Sequence, residues 1–277
     1  MGRDISRYNY NFSNRWLINT HNNPPVDVNH YSAIKNYLNQ FDSRLKKRSD
    51  KGKTIYNLRN CAYLEDFEKQ KILWLELTDN SKFTLDTKGY YLDMTVFFMT
   101  GKNLKYLLAL LNSKLIYWYF NLICAESGVG TNRWKKIYVE QLPIKEIEKQ
   151  QQKPFEILVD YIMLLKTLDK DINEYVSNEH IVKSFEEVLD AMVYELYFKE
   201  EFESKLIQFE KEKGHIKFIE YAKEDYASIE GLDEVQAIEV MQQSYKTLKE
   251  PYNKIRNNLI LVDIEFPDLI RPIKESL

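Results

Sequence analysis

Apolar positions along this chain change their period about halfway, from short runs to long helical stripes. Near the start, Trp16-Leu17-Ile18 reads as a short strand. The segment 31–47 places Ile34, Tyr37, Leu38, Phe41 and Leu45 at helical spacing. Short strands are then predicted over 71–77, 82–85, 90–92 and 95–99, separated by polar breaks at Asp79-Asn80-Ser81 and Lys88-Gly89. Residues 103–123 read as one long apolar helix. A glycine-bearing loop over 127–132 leads into Arg133-Trp134-Lys135-Lys136 and a strand over 137–139, and Leu142-Pro143-Ile144 closes the unit. The charged, glutamine-rich tract 145–153 is the best boundary, and everything beyond it reads as helix. Phe155, Leu158, Val159, Ile162, Leu165 and Leu168 form one stripe; Ile181, Phe185, Val188, Leu189, Met192, Leu196 and Tyr197 form another. The predicted class is α+β: a mixed-sheet domain over 1–148, then an all-helical C-terminal region over 149–277.

Composition narrows the class without choosing a function. Only 8 glycines and 7 prolines among 277 residues argue against a fibrous or disordered chain. Two separated cysteines, Cys61 and Cys124, make no disulfide framework and fit a reducing cytoplasm. The polar start Met1-Gly2-Arg3-Asp4 reads as no signal peptide. The apolar stretch 104–124 is interrupted by Asn112-Ser113-Lys114, so it reads as a buried helix and not a membrane span. A cytoplasmic location and no membrane partner are the expectations.

Charge changes the picture more. The net of −3 conceals 23 Lys+Arg against 15 Asp+Glu in residues 1–150, a net of +8. Residues 151–277 hold 16 against 27, a net of −11. The first half is therefore suited to a polyanion and the second would be repelled by one.

Two basic clusters sharpen that reading. Arg44, Lys46, Lys47, Arg48, Lys51 and Lys53 lie close together around a glycine turn, a density that neutralises phosphates and releases counterions. A lone run of this kind is usually a solvated helix end. Here it continues into Tyr56, Arg59 and Asn60, and Arg and Asn side chains can pair bidentately with guanine and adenine. The second cluster is Thr131, Asn132, Arg133, Lys135 and Lys136, preceded by Gly128 and Gly130, which would let backbone approach a duplex closely. Trp134 between them reads as core, with base stacking as its alternative use. Double-stranded DNA is the expected partner, with phosphates held by Arg44, Lys46, Lys47, Arg48, Lys51 and Lys53. Arg59, Asn60, Asn132 and Arg133 are the candidates for base contact.

Catalytic patterns fail on inspection. Asn23-Pro24-Pro25-Val26 has valine where an amino-methyltransferase loop has an aromatic ring, and only 22 residues precede it. Gly52-Lys53-Thr54 lacks the first glycine of a phosphate-binding loop, whose place is Lys47. Gly128-Val129-Gly130 lacks a third glycine, because Arg133 stands there. Pro267-Asp268 has no acidic-x-Lys partner, and His21, His30, His180 and His215 show no ligand spacing. No catalytic residue, metal ligand or cofactor site is predicted in this chain.

An ordered series of short motifs resembles a known family. It runs through Gly2-Arg3-Asp4-Ile5-Ser6-Arg7-Tyr8, Trp16-Leu17-Ile18, Lys51-Gly52-Lys53-Thr54 and Tyr56-Asn57-Leu58-Arg59-Asn60-Cys61. It continues through Phe67-Glu68-Lys69-Gln70-Lys71-Ile72, the stretch 106–114, Gly130-Thr131-Asn132-Arg133-Trp134 and Gln141-Leu142-Pro143-Ile144. Together these resemble the TaqI-like C-terminal specificity domain of Eco57I-type (type IIG) restriction enzyme-methyltransferases. The resemblance implies a DNA target-recognition domain fused behind an adenine-N6 methyltransferase domain that binds S-adenosylmethionine, often with a Mg-dependent nuclease domain ahead. It implies that this chain is the C-terminal part of a larger enzyme, cloned or naturally split, and that it works against a methyltransferase domain or subunit. The competing expectation is a protein-interaction subunit that docks a partner through its acidic helical half.

Overall fold

The computed structural model describes residues 2–124, 132–208 and 213–275. A two-residue hairpin comes first, β1 (Ile5–Ser6) against β2 (Asn9–Tyr10), followed by two short helices, α1 (Ser32–Asn39) and α2 (Asp42–Lys47). Then come β3 (Lys71–Leu75), β4 (Leu77–Thr78), β5 (Thr84–Asp86) and β6 (Val96–Met99). Two apolar helices follow, α3 (Leu104–Leu111) and α4 (Lys114–Ile123), then β7 (Asn132–Arg133) and the one-turn α5 (Lys136–Val139). The remainder holds α6 (Lys149–Leu165), α7 (Asn178–Tyr197), α8 (Lys199–Ser204), a small hairpin of β8 (Ile207–Gln208) and β9 (Lys213–Gly214), α9 (Ile219–Asp225), α10 (Glu234–Lys249), α11 (Lys254–Glu265) and α12 (Pro267–Glu275). The class is α+β.

Two compact units divide the chain. The larger contains residues 1–11, 70–87 and 92–277; the smaller contains 12–69 and 88–91. In the larger unit β3 is central, with β5 and β6 antiparallel on either side. Helix α3 packs on β3 and β5 and, on its other side, against α6, which in turn packs on α7. The packing thus runs across the 148/149 division read from the sequence. Burying this continuous face, with Ile72, Leu108, Leu110, Phe155, Leu158, Phe185 and Val188 each almost fully enclosed, is the main stabilising contribution.

Several predicted elements differ in the structure. The helix read over 103–123 is broken because Asn112 is fully buried and bonds elsewhere. Its Oδ1 accepts from the Phe83 N–H at 3.1 Å and its Nδ2 donates to the Phe83 carbonyl at 3.0 Å. Ser113 then caps α4 by accepting from the Ile116 N–H. The helix read over 31–47 is likewise two helices, α1 and α2. No strand forms at Trp16-Leu17-Ile18 or over 90–92, since no ladder partner lies beside them. The strand read over 137–139 is helix α5, and the pairing sits earlier, where Leu77 faces Arg133 and Thr78 faces Asn132. Among the described residues, the regular structure of the C-terminal region is helical except for the β8–β9 hairpin.

Arg7 and Tyr8, at the turn of the N-terminal hairpin, act as a bolt within the larger unit. Tyr8 is 1% exposed and its N–H donates to the Phe83 carbonyl at 2.9 Å. Arg7 Nε donates to Glu186 Oε1 on α7 at 2.6 Å, and its Nη1 donates to Ser81 Oγ at 2.9 Å. This residue's pairing joins the N-terminal hairpin to the C-terminal helices.

Candidate nucleic-acid interface

The first basic cluster belongs to the smaller unit, and the way that unit is held together decides which side chains point outward. Of its apolar side chains Val28 is buried while most others are exposed or half-buried, and the unit is organised around one amide. Asn57 is 1% exposed, and its Oδ1 accepts from the Thr54 hydroxyl at 2.7 Å and the Thr54 N–H at 3.2 Å. Its Nδ2 donates to the carbonyls of Val26 at 2.9 Å and His21 at 3.3 Å. The Asn57 carbonyl accepts from the Gly52 N–H at 3.1 Å and from Arg48 Nη2. Gly52 is required where it stands, because a Cβ there would lie 2.5 Å from the Leu58 carbonyl and closer still to Asn22. The basic turn is therefore fastened from below by Asn57 and Asn22. Replacing Asn57 with alanine leaves the Val26 carbonyl without this donor and the Thr54 N–H and hydroxyl without this acceptor, and is expected to cost roughly 2 kcal/mol. Limited proteolysis checks this, with cutting within 12–69 accelerated relative to wild type and the helical half still protected.

From this base the cationic side chains fan out unequally. Arg44, Lys47, Lys51 and Lys53 are exposed. Arg44, Lys47 and Arg48 line a hollow with Phe41 and Leu45. Lys46 is exposed but pairs with Asp42 at 2.7 Å, which raises its pKa, chiefly through the hydrogen bond to that carboxylate. Lys51 Nζ donates to the Lys46 carbonyl at 3.0 Å. Arg59 is 73% exposed and only loosely paired with Asp50 at 3.5 Å, while Asn60 Oδ1 accepts from Asn22 Nδ2 at 2.7 Å. Tyr56 donates its hydroxyl to Asn39 Oδ1 at 2.7 Å. Exposed pairs like these contribute little and exchange readily for a phosphate. Arg48 differs, because half-burial and the Asn57 carbonyl tie it to the turn.

The second cluster lies in the larger unit. Asn132 and Arg133 form β7 and are half-buried; Asn132 Nδ2 donates to Asn121 Oδ1 at 2.6 Å. Lys135 is half-buried, and Lys136 is 72% exposed beside Glu140 at 3.3 Å. Thr131, Gly128 and Gly130 lie outside the described residues. Trp134 is core: 1% exposed, with Phe120 flat against it at 3.6 Å and 3°. Sequence reading missed Asn57 and Asn22 as organisers, although Thr54 and Asn57 at i, i+3 are a local turn signal.

Among the described residues no group of three His, Cys, Asp or Glu is placed to hold a metal ion, and no helix is long and apolar enough to cross a membrane.

The basic turn presents cations suited to a polyanion, and the family model that matches the chain makes it a DNA-recognition module of the kind found in restriction-modification enzymes. Residues 1–144 match the model of the TaqI-like C-terminal specificity domain, and the chain belongs to that family. A comparison with curated proteins gave no match.

Proposed function

We propose that this chain is the sequence-specific DNA-recognition module of a restriction-modification enzyme of the type IIG kind, in which a separate domain or subunit methylates adenine at N6. The observation that carries the reading is the smaller unit's charge: 11 Lys+Arg against 6 Asp+Glu, within a chain whose net charge is −3. Arg44, Lys47, Lys51 and Lys53, with Lys46 and Lys136, hold phosphates. Arg59 and Asn60 in the smaller unit, and Asn132 and Arg133 in the larger, supply the hydrogen bonds that read base edges, and Tyr56 and Lys135 are further contacts of the same proposed interface. Arg48 supports the turn and serves the interface indirectly. The methyltransferase partner would bind S-adenosylmethionine, and any nuclease partner would bring Mg. The setting is cytoplasmic, where such enzymes meet DNA.

Fluorescence anisotropy of the full chain on duplex DNA tests the reading. With about five phosphates neutralised, log affinity is expected to fall against log salt with a slope of about −4 to −5. Charge reversal of Arg44, Lys47, Lys51 and Lys53 together is expected to abolish most of that slope. Salt-independent binding, or a quadruple variant that binds duplex as wild type does, would overturn the proposal.

A further inference from the structure

Six aromatic rings of the smaller unit form two short stacks. Trp16 meets Phe12 edge-on at 5.9 Å and 84°, and Phe12 lies nearly parallel to Tyr90 at 5.2 Å and 18°. Tyr91 lies nearly parallel to Phe67 at 4.9 Å and 15°, and Phe67 meets Tyr63 at 6.0 Å. The outer end is bare: Trp16 is 85% exposed. Its indole is nevertheless directed. Nε1–H donates to Asn14 Oδ1 at 3.3 Å, and Asn14 holds φ at 50°, a left-handed conformation that asparagine tolerates better than most residues. A tryptophan is among the largest apolar surfaces a side chain can bury, so a held but uncovered indole is a surface awaiting an occupant.

Charge selects the occupant. Residues 12–26 contain Arg15 and no Asp or Glu, and the whole unit is basic. An aromatic face on a unit of net positive charge matches a nucleic acid, which offers flat π-faces strung on phosphates. In an intact duplex both faces of every internal base are already covered, so such a ring has nothing to stack on. We infer that Trp16, backed by Phe12 and Tyr90, is a stacking platform for a nucleobase that has lost its neighbour in the helix. Every base has a π-face, so the platform accepts any of the four and leaves sequence reading to hydrogen-bonding side chains. This inference rests on the DNA-binding reading above and adds to it a preference for distorted over intact duplex.

The test compares the full chain on two fluorescein-labelled duplexes of one sequence, one fully paired and one with a single unpaired thymine bulge. Wild type is expected to bind the bulged duplex about tenfold more tightly. In Trp16→Ala that preference disappears while affinity for the paired duplex is retained, and Trp16→Phe keeps most of it. Tryptophan fluorescence supplies an independent readout, since bulged duplex should shield Trp16 from iodide in wild type and produce no such change in Trp16→Phe. Equal wild-type affinity for both duplexes overturns the platform and leaves the DNA-binding reading standing. A preference that survives Trp16→Ala also overturns it, since the distorted site is then recognised elsewhere on the chain. Failure to bind either duplex removes both readings.

Discussion

Replacing Trp134 with alanine is expected to lower the unfolding free energy by about 4 kcal/mol, the size typical of a large aromatic removed from a packed core. The indole lies flat on Phe120, meets Phe83 edge-on at 5.1 Å and 80°, and lies parallel to Tyr117 at 6.2 Å. Its backbone is tied as firmly: the Trp134 N–H donates to the Glu76 carbonyl at 2.7 Å, and the Trp134 carbonyl accepts from Trp74 Nε1 at 2.8 Å. Losing the ring therefore leaves a cavity that fixed neighbours cannot close. Guanidinium unfolding followed by far-UV circular dichroism measures the change, and Trp134→Phe should recover about half of it. A loss below about 1 kcal/mol in the alanine variant would show that the site collapses. Asn132, Arg133, Lys135 and Lys136 flank this anchor, so if they contact DNA as proposed, the variant should also weaken duplex binding.

The second large effect concerns pH. Asp190 on α7 is 4% exposed, and burial pushes its carboxyl from 3.8 up to about 6. Lys114 opposes the shift, through its ammonium 3.6 Å away and its N–H at 2.8 Å, as does the nearby Arg7; Glu186 adds to it. Between pH 4 and pH 6 the folded chain holds a proton here that the unfolded chain has released. Asp190 therefore contributes its greatest stability below pH 4, and that contribution is lost as pH rises to about 6. Asp190→Asn keeps an acceptor for the Lys114 N–H and does not titrate. Relative to wild type, the variant is expected to gain about 3 kcal/mol between pH 4 and pH 7. Urea unfolding of both proteins across this range would give parallel curves if the carboxyl titrated normally.

Legibility in the sequence followed locality. The stripes over 155–168 and 181–197 name helices α6 and α7 because a helix buries one face at a fixed spacing, and that spacing needs no partner to be recognised. Strands were less legible. Lys71 to Leu75 pairs as read, yet Trp16-Leu17-Ile18 has the same apolar look and lies exposed. A strand exists only where another strand accepts its hydrogen bonds, and that neighbour is distant in sequence. Among the site residues, the exposed cations of the first cluster were legible as a group, since a dense basic run cannot be buried. Their individual standing was not. Arg48 and Lys47 are adjacent, but one supports the turn and the other meets solvent, which is set by Asn57 nine residues on from Arg48.

By itself the sequence determined the α+β class, the helical C-terminal half, the basic character of the first half and membership of the specificity-domain family, all of which follow from local period, composition and motif order. Tertiary structure alone decided the rest. It broke the 103–123 segment at Asn112, because that buried amide gains more from both polar groups of Phe83 than from continuing a helix. It moved the second strand pairing to Asn132 and Arg133, because Trp134 had to enter the core. It made Asn57 the fastening of the basic turn, and it left Trp16 without cover. Each of these depends on which distant groups remain unpaired or uncovered once the chain is compact, and a periodic pattern carries no record of that.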